Sequence, residues 1–479
     1  MENLPQALIA EIIKRITGTN DLNSISLVSK LLYTVEAEQR DSIRLRCGLC
    51  PAKMAMASLC SRFPNLCKVE IDYSGWNAIN GMQLDNEGLC VLSTRCPLLT
   101  DLTLSFCSNI NDSGIGCLAR CKKLTSLRLN SVSGVGSTGL LNVAVGCKSL
   151  SSLHLIGLKN VVSVEWLEYL GREGSLEQLV VVDCKRISQY DILKFGPGWK
   201  KLQKFEFEIK GLVNVVQPRD PSYVPHYQYK YDFSCESLKD LTLARVVTIP
   251  EIGLRCLLSK CRALQRLCLH YVVGINDSDM ITLSQNCKNL TSISLRLEPL
   301  WNLSPEGIHL AEVSTPLTND SLLALALRCH MLQTVELTFA ACEPSYPSEI
   351  GFTQEGFVIF IQSCPIRDLI LSGANFFNDT GMEALSSAQY LETLELMDCV
   401  AITDTGMRFL ARSPRLINLT LRQCYHFTDS GVTEVALARN LESLVIEGCP
   451  RVSLEAVQGA AKSVQYKVDY PGLYGLNRG

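Results

Sequence analysis

Several residues and segments that mark common functional classes are scarce in this sequence. Histidine occurs only six times in 479 residues, and no pair of histidines has the His-Glu-x-x-His spacing of a zinc protease. No Gly-x-x-x-x-Gly-Lys-Ser/Thr loop is present to bind a nucleotide phosphate. No nucleophile and base stand at a spacing that suggests catalysis. We therefore expect a protein that is not an enzyme and that needs no cofactor.

Charge and hydropathy argue against two further classes. The net charge is −3, and the basic residues form no long run, which disfavours general attraction to nucleic acid or to a membrane surface. No stretch of about 18 uninterrupted apolar residues is available to span a bilayer. The start, MENLPQALIAEIIKRI, lacks the basic and apolar regions of a secretory signal. We expect an intracellular protein, in the nucleus, the cytoplasm or both.

The sequence does contain a phrase, Leu-x-x-Leu-x-Leu, that returns about every 25 to 26 residues. Clear copies are LLTDLTL at 98–104, KLTSLRL at 123–129 and RLINLTL at 415–421. The alternating leucines predict a short strand, and the apolar spacing that follows predicts a helix. This period and phrase are typical of a leucine-rich-repeat solenoid. We predict an α/β horseshoe of about 14 repeats, with parallel strands on the concave face and helices on the convex face.

The register of the repeats can be followed through one central apolar residue per strand. These residues are Val69, Leu102, Leu127, Leu153, Leu179, Phe205, Leu241, Leu267, Ile293, Val335, Leu369, Leu394, Leu419 and Leu444. Four longer gaps predict insertions near 74–83, 212–233, 298–316 and 341–351. In a solenoid such insertions form loops at one rim, which is often the binding rim.

A polar turn recurs between strand and helix. Asp112 is well placed as a helix N-cap, and so are the equivalent residues Asp277, Asp320, Asp379, Asp404 and Asp429. A glycine two residues after the aspartate recurs at Gly114, Gly381, Gly406 and Gly431.

The 22 cysteines follow the repeat instead of an extracellular disulfide pattern. One set, just before the strand phrase, is Cys96, Cys121, Cys147, Cys235, Cys261, Cys287, Cys329 and Cys364. A second set, three residues after the last strand leucine, includes Cys107, Cys184, Cys399, Cys424 and Cys449. We expect buried, reduced thiols. Cys47 and Cys50 form a Cys-x-x-Cys without a second pair, so no metal site is predicted.

Residues 4–36 do not fit the repeat. An apolar stripe that includes Leu8 and Ile12 predicts one helix, and the apolar spacing in DLNSISLVSKLLYTVE predicts another. So short a segment buries too little apolar surface to be stable alone, so we expect it to pack against a partner. It could instead be a plain helical cap of the solenoid.

The phrases LPQALIAEIIKRI and DLNSISLVSKLLYTVE together resemble an F-box, a small all-α domain. The Cys-containing repeat with turns such as ITDTGM resembles that of F-box/leucine-rich-repeat proteins, and plant members, including the auxin and jasmonate receptors, are most similar. The resemblance implies an F-box at 1–45, a helical connection at 46–65, repeats at 66–462 and a C-terminal cap at 463–479.

The resemblance implies a substrate-recognition subunit of an SCF-type (Skp–cullin–F-box) ubiquitin ligase. Its F-box would bind a Skp-type adaptor, and through it cullin, while the repeats hold a target protein for ubiquitination and degradation. The adaptor-binding residues that it implies are Leu4, Pro5, Leu8, Ile9, Ile12, Ile13, Ile16, Leu22, Ile25, Val28 and Leu32.

Strand residues that flank the leucines should point out of the concave face, because side chains alternate along a strand. The candidate target-binding residues there are Arg128, His154, Glu206, Glu208, Asp240, Arg266, His270, Arg296 and Arg422. The arginines and histidines suit an acidic or phosphorylated peptide. A solvated sheet of mixed charge, without a binding role, is the other interpretation.

Two other functions stay open at this point. A small molecule could complete the groove under the long loops, which would make the protein a ligand sensor. Alternatively the protein is a scaffold that assembles no ligase, because Leu31 and Leu32 stand where the F-box family usually has an aromatic or a basic–aromatic pair. Hormone-receptor members of the family that it resembles bind an inositol polyphosphate on a surface of basic residues. This sequence has fewer basic residues at the corresponding strand positions, so no such cofactor is predicted.

Overall fold

The computed structural model describes most of the chain in two compact units. The described residues are 4–46, 52–75, 82–184, 187, 199–209, 235–246, 254–272, 274–297, 317–339, 351–436, 438 and 440–468. Unit 1 contains those up to residue 209, and unit 2 contains those from residue 235. The insertions predicted near 212–233 and 298–316 lie outside the described residues, as do most of the other two. Cys47 and Cys50 also lie outside them.

Unit 1 begins with a helical module and continues as a parallel sheet. Its helices are α1 Gln6–Lys14, α2 Thr19–Ser26, α3 Lys30–Gln39, α4 Ala52–Arg62, α5 Asn86–Arg95, α6 Asp112–Gly116 with a 3₁₀ turn at Cys117–Arg120, α7 Ser137–Gly146 and α8 Glu165–Glu173. Its strands are β1 Ser42–Leu45, β2 Lys68–Asp72, β3 Asp101–Ser105, β4 Ser126–Asn130, β5 Ser152–Ile156, β6 Gln178–Val182 and β7 Lys204–Glu208. These strands pair in chain order, all parallel.

Unit 2 repeats the same strand–turn–helix pattern. Its strands are β8 Asp240–Ala244, β9 Arg266–His270, β10 Ser292–Leu297, β11 Thr334–Phe339, β12 Asp368–Ser372, β13 Thr393–Met397, β14 Asn418–Arg422, β15 Ser443–Glu447 and β16 Ser463–Lys467. Its helices are α9 Leu254–Lys260, α10 Asp277–Asn286, α11 Asn319–Arg328, α12 Gln354–Ser363, α13 Asp379–Ser386, α14 Asp404–Leu410, α15 Asp429–Ala436 and α16 Leu454–Val457. Neighbouring strands are again parallel and in chain order.

The predicted strand register is confirmed within each unit. In unit 1 the central residues pair from Val69 through to Phe205, and in unit 2 from Leu241 through to Leu444. The second and fourth residues of a typical strand, such as Leu102 and Leu104, are fully buried. Residues on either side of them point to the other face of the sheet, here called the open face.

Each end of the repeat array carries one strand that lacks the leucine phrase. Strand β1 lies inside the 1–45 segment that was expected to be helical, and its Ile43 pairs with Val69. The backbone N–H groups of Cys67 and Lys68 both donate to the carbonyl of Asp41, at 2.8 and 2.9 Å, which leads the chain from α3 directly into the sheet. Strand β16 pairs with β15 in the same way at the other end.

The recurring aspartate does not cap its own helix, so that prediction is wrong. The N-cap is the residue before it: Thr403 Oγ1 accepts from the N–H of Thr405 at 3.2 Å. The aspartate is the first helical residue, and its carboxylate reaches the turn of the next repeat. Asp404 accepts from the N–H and hydroxyl of Thr428 at 2.7 and 2.8 Å, and from the N–H of Gly431 at 3.1 Å.

The same inter-repeat bond recurs at Asp112, Asp277, Asp379 and Asp429. At α11 the role falls to Asn319 instead of the predicted Asp320. At Gly406 and Gly431 the bond also accounts for the glycine two residues after the aspartate. A Cβ on either residue would lie 2.5 Å from the neighbouring carboxylate, Asp379 Oδ1 or Asp404 Oδ1. At Gly381 the nearest atoms belong to the ring of Phe377 instead, and beside Asp277 the equivalent residue is Ser321, which donates its hydroxyl to the carboxylate.

Cysteines of the two sets lie buried between repeats, with free thiols. Cys147 donates its S–H to the carbonyl of Leu118 at 3.1 Å, and Cys449 contacts the carbonyl of Leu421 at 3.7 Å. Burial raises the pKa of Cys147 to about 11 and that of Cys399 to about 12. Cys147 and Cys399 are therefore poor nucleophiles and act as small packing groups.

We expect the inter-repeat aspartate and its glycine to be energetically coupled. Asp404→Ala should lower the free energy of unfolding by about 2 kcal/mol, because three hydrogen bonds to a carboxylate are lost. Gly431→Ala should be destabilising in the native background, since its Cβ would lie 2.5 Å from Asp404 Oδ1, and clearly less so in Asp404→Ala. Urea unfolding of the double-mutant cycle measures this coupling.

The matched control for that cycle is Gly75→Ala, where an added Cβ meets no atom within 4 Å. A Gly431→Ala effect that is equal in both backgrounds would show that the carboxylate does not select the glycine.

Candidate functional site

The N-terminal module forms a small core of its own. Ile9 and Ile13 of α1 pack on Leu32 and Val35 of α3, all of them at most 4% exposed. Leu22 and Ile25 of α2 are partly buried against this cluster. Five of the eleven predicted adaptor-binding residues thus hold the helices together; Ile9, Ile13 and Leu32 are buried there, while Leu22 and Ile25 keep part of their surface exposed.

A second face of α1, adjacent to the core face and continued by Leu4 before the helix, is apolar and exposed. Leu4, Leu8 and Ile12 are spaced four residues apart and are 39%, 52% and 49% exposed. Pro5, the N-cap of α1, is also exposed, and Ile16 is half-buried. We call Leu4, Leu8 and Ile12 the α1 stripe. Since exposed apolar rows on a small domain mark contact surfaces, the stripe is a candidate partner site.

A second exposed apolar group lies at the junction of α2 and α3. Val28 is one of the predicted adaptor-binding residues and is 67% exposed. Its neighbours Leu27 and Leu31 were not among those predicted, and they are 86% and 38% exposed. Apolar spacing alone could not find them, because it marks a helix face without showing whether that face packs inward. Three apolar residues within a Leu-Val-Ser-Lys-Leu turn were the available signal.

A buried charged cluster joins the helical module to the first repeats. Glu36 of α3, with no exposed surface, forms ion pairs with Arg40 and with Arg62 of α4, the latter at 3.3 Å. Arg62 also lies 4.2 Å from the ring centre of Tyr33, and Arg40 lies 5.1 Å from that of Phe63. These contacts connect α3 to α4, so the module is attached to the sheet by specific side chains.

The predicted target-binding residues lie on the open face of the two units. Arg128 and His154 occupy the middle of β4 and β5, with Glu206 and Glu208 on β7. In unit 2 the remaining residues are distributed over four strands: Asp240, Arg266, His270, Arg296 and Arg422.

Carboxylates on neighbouring strands neutralise most of these arginines. Arg266 binds Asp240 through Nε and Nη2, at 3.1 and 2.8 Å. Arg296 binds Glu336 at 2.8 Å, and Arg422 contacts Glu447 at 2.9 Å as well as Glu395. In unit 2 the open face therefore carries mixed charge instead of a free basic platform.

Glu336, Glu395 and Glu447 were missed by the sequence analysis. Each of the three alternates with the buried apolar residues of its strand, as Glu206 does. Because such a residue points out of the open face, this position in the strand could have identified all three as candidates. Glu336 links a chain of polar groups: its Oε2 accepts from Ser294 Oγ at 2.8 Å, and Ser294 lies 2.9 Å from His270 Nε2. Which side chains bond one another depends on which residues lie side by side on neighbouring strands. The residue spacing within one strand does not show this.

Arg128 and His154 differ from the unit 2 pairs. Among the described residues Arg128 makes no ion pair, and His154 Nε2 is buried without a hydrogen-bond partner. Burial lowers the pKa of His154, and the nearby charges of Arg128 and Lys204 lower it further. The imidazole is therefore neutral at pH 7.

Two features are absent from the described part of the chain. Over the ranges given above, no helix is long and apolar enough to cross a membrane. In the same ranges no three His, Cys, Asp or Glu side chains are grouped so as to hold a metal ion.

Known proteins share the repeat. A family model described as Leucine Rich repeat matches residues 95–119 and 387–411. GRR1-like protein 1 of Arabidopsis thaliana is 24% identical over 382 residues, which cover 69% of this chain and 63% of the relative. The chain thus spans less than two thirds of that relative. The two segments matched by the family model are leucine-rich repeats, in agreement with the strand register above.

Solved structures of similar backbone include a chain of the yeast Rad7 and Elc1 complex. It has a TM-score of 0.49 and 17% identity, with 85% of this chain and 90% of that chain covered. A chain of the TLR13–ssRNA13 complex has a TM-score of 0.44 and 16% identity, with 86% and 60% covered.

The buried cluster around Glu36 generates a stability prediction. Glu36→Ala should lower the local free energy of unfolding of α1–α3 by about 3–5 kcal/mol, because Arg40 is left buried without its carboxylate. Hydrogen exchange of the α3 amides measures this free energy. The control is Glu11→Ala, which removes a solvent-exposed ion pair to Lys14 and should leave exchange almost unchanged. Equal effects of the two variants would contradict the role of Glu36.

Proposed function

We propose that this protein is the target-recognition subunit of an SCF-type ubiquitin ligase. In this proposal the helical module binds a Skp-type adaptor, which connects it to cullin, and the open face of the repeats binds a target protein for ubiquitination and degradation. The observation that supports it most strongly is the α1 stripe: a domain with an F-box-like sequence keeps Leu8 and Ile12 half exposed.

Helix α1 has one apolar face that is buried and another that is exposed. This arrangement favours a helix that binds a partner over one that only caps the solenoid. A cap would need one apolar face, directed at the rest of the chain. Here Ile9 and Ile13 already provide that face, with 2% and 4% of their surface exposed. The α1 stripe, on an adjacent face of the helix, adds apolar surface that the described residues leave exposed. Burying it against an adaptor would gain about 25 cal/mol for each Å² removed from water.

The match to GRR1-like protein 1 is consistent with this proposal but does not extend to its full length. The receptor itself would do no chemistry. It would act by proximity, because holding a target beside the charged conjugating enzyme raises the effective concentration of the target lysine. The Glu36 cluster would contribute by keeping the adaptor-binding helices attached to the repeats that hold the target.

The test is co-purification of the full chain with a Skp-type adaptor, with and without Leu8→Asp and Ile12→Asp together. Both positions are about half exposed, so the variant should fold, and a charge placed in an apolar contact should reduce adaptor binding at least tenfold. The control is Leu327→Asp on α11, which is 71% exposed and lies in the repeats. It should bind the adaptor like the unmodified chain.

Binding that is lost in the α1 double variant and kept in the control supports the ligase subunit. If the unmodified chain does not bind any Skp-type adaptor, the proposal is wrong and the protein is a repeat scaffold.

A further inference from the structure

We propose that Arg128, assisted by His154, is the anchor that binds one unphosphorylated aspartate or glutamate side chain of the target protein. This inference rests on the proposed target-recognition role of the open face. It selects, from the nine target-binding residues predicted from the sequence, the pair on strands β4 and β5. It also states the chemical class of the group that this pair binds.

The first observation is the state of the four predicted arginines. Arg266, Arg296 and Arg422 each bind a carboxylate on a neighbouring strand, at 2.8 to 2.9 Å. A target that approached them would have to displace an acid that is already in place. Arg128 makes no ion pair within the described part of the chain and is exposed. Its guanidinium can therefore bind a new carboxylate without breaking an existing pair.

The second observation is the arrangement around Arg128. His154 lies directly beside it across the β4–β5 pair, and Thr103 lies on its other side on β3. All three are on the open face, in the middle of their strands. A target side chain that lies over β4 and β5 on the open face would therefore contact both the Arg128 guanidinium and the His154 imidazole.

The third observation is a concentration of unsatisfied polar atoms at this place. Asp101 Oδ1, Ser126 Oγ and His154 Nε2 are shielded from water and have no hydrogen-bond partner. They lie on the consecutive strands β3, β4 and β5, where Asp101 and Ser126 are direct neighbours. Since buried polar groups in native proteins normally have partners, such a cluster marks a surface that a binding partner completes, once its side chains rotate toward that partner.

The charge at this place favours one negative charge over the two of a phosphate. Arg128 makes no ion pair in the described part of the chain, whereas the nearby Lys204 is paired with Glu206 at 3.3 Å and Lys68 with Asp101 at 3.9 Å. The neutral His154 adds a hydrogen-bond donor without a further charge. Asp101, at the start of β3, is acidic and would repel a dianion. A carboxylate matches the guanidinium in shape and charge, since two parallel N–H···O bonds satisfy both groups.

The experiment uses the purified full chain and a peptide array with one fixed position in an otherwise mixed sequence. The fixed residue is Asp, Glu, Gln, Lys or phosphoserine. The unmodified chain should bind the Asp and Glu peptides at least tenfold more strongly than the Gln peptides. Arg128→Gln should remove that preference, and Arg128→Glu should shift it toward Lys.

The matched control is Arg266→Gln. Arg266 also lies on an open face, but its guanidinium is already paired with Asp240. It should keep the preference for acidic peptides, and His154→Asn should weaken that preference. Thermal unfolding of each variant shows whether it is folded.

Three results would overturn the inference: the same preference in Arg128→Gln as in the unmodified chain, no preference for acidic peptides at all, or stronger binding of phosphoserine than of Glu. The array needs no adaptor, so its outcome is separate from that of the co-purification. Adaptor binding with no acidic preference would leave the ligase proposal intact and remove this one.

Discussion

The contact between one repeat and the next is the interaction on which the whole structure depends. A single strand–turn–helix unit cannot bury its leucines alone, so each repeat is stable only against its neighbours. Three kinds of group share that contact: strand leucines such as Leu102, buried thiols such as Cys147, and the carboxylate that Asp404 extends to the next turn. Glycines such as Gly406 and Gly431 lie close to such a carboxylate in the same contact.

The open face is what this packing leaves for binding, and its charges are organised across strands. In unit 2 an arginine on one strand meets a carboxylate on the next, as Arg296 meets Glu336. Exposed pairs of this kind add little stability, but they cancel the local field, so the face does not attract acidic molecules in general. In unit 1 Arg128, which makes no ion pair with any described residue, departs from this pattern. Selectivity can therefore come from a few unmatched groups on a largely neutral surface.

At the N-terminal end, one short helix has two roles. Ile9 and Ile13 are needed for the core of the module, while Leu8 and Ile12 remain at its surface. Such a module is stable at this size because α3 continues into β1 and because Glu36 binds arginines on both sides of the junction. The link between adaptor and target in the proposed function is therefore a set of buried contacts and not a free tether.

The sequence by itself determined the repeat period, the strand register and the burial of the leucines and cysteines, because these depend on contacts that recur at a constant spacing. It also indicated the helical module, although not the short strand β1 that follows it. Tertiary structure alone decided that Asp404 bonds forward to Thr428 and which face of α1 is exposed. It also decided that Arg266 pairs with Asp240, while Arg128 has no such partner among the residues that the structure describes. Each of these depends on which side chain lies opposite in space, and an amphipathic or alternating pattern records only that a residue points outward from its own element.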